Sequence, residues 1–154
     1  MKRQLTLGIL LLSGISTNTL AQCPGAGWSQ ITTVPGLQGT LIGNTVCVSD
    51  GNNGWDAQEY HAGSPTDVTG SLIDYKHGPN NSSNPDPLKA IDPTSPVGSW
   101  TINDNTPNAA TVTYSYGSLS YENEVWQNGS QYCFDNGTDA VVATIEGGSD
   151  ACGQ

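Results

Sequence analysis

Positive charge is what this chain most lacks. Lys+Arg number 4 against Asp+Glu 14, for a formal net charge of −10. Two of the four cations, Lys2 and Arg3, fall in a leader segment, so the remainder keeps only Lys76 and Lys89 and a net charge of −12. Binding nucleic acid without regard to sequence requires a basic surface to neutralise phosphates, and this composition excludes it. The same deficit argues against docking on an anionic bilayer. Long apolar runs are absent too: Leu5 to Ile15 is too short to span a membrane, and no later run replaces it. Catalytic signatures are missing. There is no G-x-S-x-G elbow, and the only histidines are His61 and His77. There is no C-x-x-C pair to begin a zinc site. No segment shows sustained helical periodicity. These absences predict a protein that is not an enzyme and that carries no cofactor.

What is present begins with an export signal. In residues 1–21, Lys2 and Arg3 form a charged start, an apolar stretch follows, and Thr19-Leu20-Ala21 places small residues at −3 and −1 of a cut before Gln22. Gln22 is a poor residue before a lipid-modified cysteine, which disfavours lipoprotein processing at Cys23. The pattern predicts bacterial export and a secreted or periplasmic location, with residues 22–154 as one disulfide-bonded β domain. All four cysteines (Cys23, Cys47, Cys133, Cys152) lie in that part, and an even count in an exported chain reads as two disulfides. Of the three connectivities, Cys23–Cys47 with Cys133–Cys152 is favoured, because each closes a short local loop contributing about 3 kcal/mol.

Aliphatic side chains are few: Leu, Ile, Val and Phe supply only 21 residues after position 21, a composition approaching that of disordered chains. Against this stand eleven aromatics, among them Trp28, Trp55, Trp100 and Trp126, set in alternating segments. Gly98 to Ile102 puts Trp100 and Ile102 on one face. Thr111 to Tyr116 turns Val112, Tyr114 and Tyr116 inward. Tyr121 to Trp126 and Gln131 to Phe134 flank Asn128-Gly129, a hairpin turn signal, and Asn136-Gly137 repeats the device before Ala140 to Glu146. This is a five-strand antiparallel meander. Earlier, residues 40–48 read as another hairpin, Trp55 to His61 as a strand or one helical turn, and Ser71 to Lys76 as a strand. Residues 77–97, rich in proline, read as an extended crossover. The fold class is all-β: an antiparallel meander closing into a barrel or sandwich of about eight short strands.

Leu41-Ile42-Gly43-Asn44-Thr45, Glu59-Tyr60-His61 and Val97-Gly98-Ser99-Trp100 occur in that order. The series resembles an L-x-G-N-T opening and later G-x-W strand of uncharacterised small exported bacterial β-proteins, which are lipocalin-like in shape. The resemblance implies a fold class and no activity.

Glu59 and His61 share a strand face at i, i+2, and Asp74 on a neighbouring strand completes a carboxylate–histidine–carboxylate set suited to a metal or to acid–base work. A polar face beside Trp55 is the simpler account. Asp50, Asn52 and Asp56 present oxygen ligands on a Gly- and Asn-rich loop, a weak calcium candidate without EF-hand spacing; turns between strands have the same composition. Glu122 and Glu124 share one face of a strand with Trp126, as a solvated face does. An exposed Trp126 there would offer a stacking ring. The candidate ligand-binding residues are therefore Trp55, Glu59, His61, Asp74 and Trp126. The expected role is a non-catalytic binding module for a small ligand or an extracytoplasmic protein. The alternatives are a carbohydrate-binding surface and an inhibitor of a cationic secreted enzyme, whose association the acidic charge would steer.

Overall fold

A computed structural model describes residues 23–51, 55–74, 95–149 and Cys152. The proposed leader, Asn52, Lys76, His77 and the proline-rich stretch up to residue 94 lie outside the described residues.

The chain forms β1 (Ser29–Gln30), α1 (Val34–Leu41), β2 (Asn44–Ser49), β3 (Trp55–Ala62), β4 (Thr69–Asp74), β5 (Ser95–Asn103), β6 (Thr111–Tyr116), β7 (Leu119–Asn128), β8 (Gln131–Asp135) and β9 (Ala140–Gly147). Strands β2 to β9 form an antiparallel ring. β2 pairs with both β3 and β9, and β7 pairs with β8, so the eight strands close into a barrel. Closure leaves no strand of the ring with an unpaired edge. β1 adds to the far half of β7, where Ser29 faces Gln127 and Gln30 faces Trp126.

The meander expected over the second half is β5 to β9. The hairpin between β7 and β8 turns at Gly129, whose φ of 61° suits the left-handed conformation that such a turn requires. Val112, Tyr114 and Tyr116 point inward as their alternation predicts, with Tyr121 and Asn123 beside them across the β6–β7 ladder. β4 begins two residues earlier than the sequence suggests, and the last two residues of the expected strand, Tyr75 and Lys76, lie outside the described residues.

The first half departs from expectation. Leu41 does not start a hairpin; it ends a helix. Thr33 caps that helix, its hydroxyl accepting from the Gly36 amide at 3.2 Å, and a proline stands in the first turn. Leu37 and Leu41, four residues apart, are both fully buried. Gln38 donates to the Asp67 carbonyl, in the β3–β4 turn, at 3.0 Å, and the Ala110 amide donates to the Thr32 carbonyl. These bonds seat α1 across the end where β2, β4 and β6 begin. There Leu37 and Leu41 join Leu72, Trp100, Ile102, Val112 and Val125 in a closed floor.

Two glycines let the floor pack. A Cβ on Gly70 would lie 2.1 Å from the Ala62 carbonyl oxygen and 2.6 Å from the Trp100 ring. One on Gly98 would lie 2.4 Å from the Ser115 carbonyl oxygen. Trp100 thus lies flat against bare backbone, its Nε1 donating to the Ala62 carbonyl at 3.2 Å. Of the four tryptophans only Trp100 is core; Trp28, Trp55 and Trp126 are half-buried.

Both disulfides form, but across the chain rather than locally: Cys23–Cys133 and Cys47–Cys152. The topology explains the correction. β1 lies beside β7, whose other neighbour is β8, so the segment before β1 reaches Cys133. At the other terminus the chain leaves β9 beside β2, and the Gly148 amide donates to the Gly43 carbonyl. From there it reaches Cys152, bonded to Cys47. Cys47 and Cys133 alternate with inward-facing neighbours, yet both are buried, because terminal segments cover the outer wall there.

Candidate functional site

At the end opposite α1 the barrel is open. A chamber of about 460 Å³ lies there, within the range typical of small-molecule sites. Its wall is built by alternation. β2 contributes Val46 and Val48, β3 Ala57 and Glu59, and β6 Tyr114 and Tyr116; Tyr121 and Asn123 come from β7, Phe134 from β8 and Val141 from β9. Asp56, Asn136 and Asp139 complete the rim. The mouth is apolar as well as acidic: Leu119, Tyr121 and Val141 are large hydrophobic side chains 57%, 43% and 43% exposed.

Glu59 stands in the chamber wall. The Tyr116 hydroxyl donates to its Oε2 at 2.6 Å. Glu59 and Asp74 are direct cross-strand partners, as the sequence suggests. Burial raises the Tyr116 hydroxyl's pKa, with the charges of Glu59 and Asp74 adding to the effect, so this phenol stays a donor. Asp74 acts on the site through this field and is not part of the chamber lining.

His61 is one step deeper and sealed below the chamber. It is fully buried, and its Nε2 is 2.9 Å from the Tyr114 hydroxyl. Tyr114 meets its ring edge-on at 5.5 Å and packs against Phe134 at 6.0 Å. Desolvation lowers the His61 pKa to about 4, although the carbonyls of Glu59 and Asn44 act in the opposite direction. Nδ1 is buried without a hydrogen-bond partner. His61 is therefore a neutral floor residue under Tyr114. Tyr114, with its hydroxyl held by His61, presents its ring to the chamber. Burial also raises the Tyr114 pKa.

The remaining sequence candidates are placed elsewhere. The ladder shifts register between Val48 and Ser49, so Trp55 pairs with Ser49 and is not part of the lining, whereas its neighbour Asp56 is. Trp126 pairs with outward-facing Cys133 and is half-buried, its Nε1 enclosed without a partner. Of the calcium candidates, Asp56 lines the chamber and Asn52 lies outside the described residues. No three His, Cys, Asp or Glu side chains converge on a metal position among the described residues. Glu122 and Glu124 are on the outer wall. Glu122 accepts from the Thr111 hydroxyl and from the Asn105 and Asn103 amides, and these bonds, Thr111 foremost, lower its pKa.

Sequence reading missed Tyr121, Phe134, Asn123, Asp139 and Val141 as a site. The inward alternation of the meander carried the signal for Tyr114 and Tyr116, which read there as core. Comparison with protein-family models, curated proteins and solved structures finds no match to this chain.

Proposed function

We propose that this protein is a non-catalytic binding module that holds a small, largely apolar ligand in the open end of its barrel. The chamber carries this reading: about 460 Å³, walled by four aromatic rings and three valines, with few polar groups to fix orientation. The exposed Leu119, Tyr121 and Val141 at the mouth support it, since apolar rims of this kind mark binding openings. Export to an oxidising compartment suits the two disulfides. A carbohydrate platform at Trp126 gains no support from a ring whose polar edge is enclosed.

The test is titration with the neutral fluorophore N-phenyl-1-naphthylamine. Saturable binding at one site per chain is expected, weakened at least about tenfold in Ala57→Phe, which fills the chamber, with the melting temperature of that variant retained. Absence of saturable binding to the wild type, or equal binding by the filled variant, would overturn the reading.

A further inference from the structure

Among the described residues the chamber's charge is one-sided. Three of its lining residues are carboxylates: Glu59 in the wall, Asp56 at the start of β3 and Asp139 in the β8–β9 turn. Two come from one strand and the third from a turn, and the rest of the lining among the described residues is aromatic, aliphatic or neutral amide. No lysine or arginine occurs among the described residues, because the four in the chain are at positions 2, 3, 76 and 89. His61, the one histidine among the described residues, is sealed beneath it.

We infer that the chamber is selective for organic cations: an aromatic or aliphatic body lying against Tyr114, Tyr116, Tyr121 and Phe134, with its ammonium group drawn in by the carboxylates of Asp56, Glu59 and Asp139 that line the same chamber. This rests on the binding reading above and names the ligand class. An anion entering the chamber would lose hydration while meeting three like charges, whereas a cation exchanges hydration for carboxylates and tyrosine faces. The low-dielectric walls concentrate the field of an acidic protein at its opening, which raises the local concentration of cations. The Tyr116 hydroxyl fixes the orientation of Glu59, so this carboxylate is ordered before a ligand arrives. A bare metal ion does not fit, since the carboxylates do not converge and most of the wall offers it no oxygen ligand.

Three probes with the same naphthyl body and an ethylammonium, an ethanol or an acetate arm separate the possibilities, each measured by displacement of N-phenyl-1-naphthylamine at low salt. The ammonium probe should bind about tenfold or more tighter than the alcohol, with the acetate weakest, as one charge pair in a partly buried site predicts. Asp56→Asn/Asp139→Asn changes two exposed residues and should reduce the ammonium preference without loss of fold. Adding Glu59→Gln should abolish the preference, with alcohol binding within about twofold of wild type. Equal or tighter binding of the acetate probe would overturn the inference, as would a preference undiminished in the triple variant. In both cases bound alcohol and fluorophore would leave the chamber itself standing. If none of the four compounds binds, the container reading fails and this inference with it.

Discussion

The His61 imidazole and the Tyr114 hydroxyl meet at 2.9 Å inside the barrel, and both groups are cut off from water. Burial holds the ring neutral, which makes the fold sensitive to acid. In the unfolded chain His61 takes up a proton near 6.5; in the folded protein it does so only near about 4. Between those values the unfolded state binds more protons, so stability is intact above 6.5 and falls as pH drops toward 4. The gap corresponds to about 3 kcal/mol. Urea unfolding of wild type and His61→Gln at pH 7 and pH 4 should show the wild type losing about that much more than the variant. Parallel losses in the two proteins would contradict a neutral buried His61.

Gly70 underlies Trp100 with no room for a methyl group, and its closest neighbour is a backbone carbonyl that cannot rotate aside. Gly70→Ala should cost about 3 kcal/mol or more, beyond what helix or strand propensity accounts for. A midpoint shift in chemical denaturation, with blue-shifted Trp100 emission lost, is the expected record.

Leu37 and Leu41 fill the helix end of the barrel. Either residue changed to Ala should cost about 2–5 kcal/mol, because the flanking strands are hydrogen-bonded into a ring and collapse little around a void. The same substitution at exposed Val68 should change stability by less than about 0.5 kcal/mol. Thermal melts of the three variants give the comparison.

Non-reducing peptide mapping should recover Cys23 linked to Cys133 and Cys47 linked to Cys152. The two bonds span 110 and 105 residues of sequence. In the chain-entropy account a loop of that size contributes about 4.7 kcal/mol, so Cys47→Ser/Cys152→Ser should reduce unfolding free energy by a few kcal/mol. Recovery of the two sequence-local pairs instead would contradict the topology of the termini.

The meander was legible because its strands follow one another through short turns. Alternation alone then places Trp100, Val112, Tyr114 and Tyr116 on the inner face. Glu59 and His61 were legible as a pair for the same reason. Their separation was not: on one strand face the shallower residue lines a chamber and the deeper one is sealed, a distinction set by α1 at the barrel end. That helix was hidden because it is two turns long, contains Pro35, Gly36 and Gly39, and shows its period only in Leu37 and Leu41. Trp55 was misplaced by a one-step register shift that no residue type announces. The cysteines show a further limit. Nearness along the chain favoured local bonds, whereas nearness in the folded protein depends on where each terminus lies on the barrel wall.

The two sulfur bridges interleave: each encloses one cysteine of the other. In a reduced chain the encounters that occur soonest are Cys23 with Cys47 and Cys133 with Cys152, each pair fewer than 25 residues apart. Both are wrong. Oxidation ahead of folding therefore fills the chain with mismatched links that must be exchanged through mixed disulfides, whereas a chain that closes its barrel first finds each thiol already beside its proper mate.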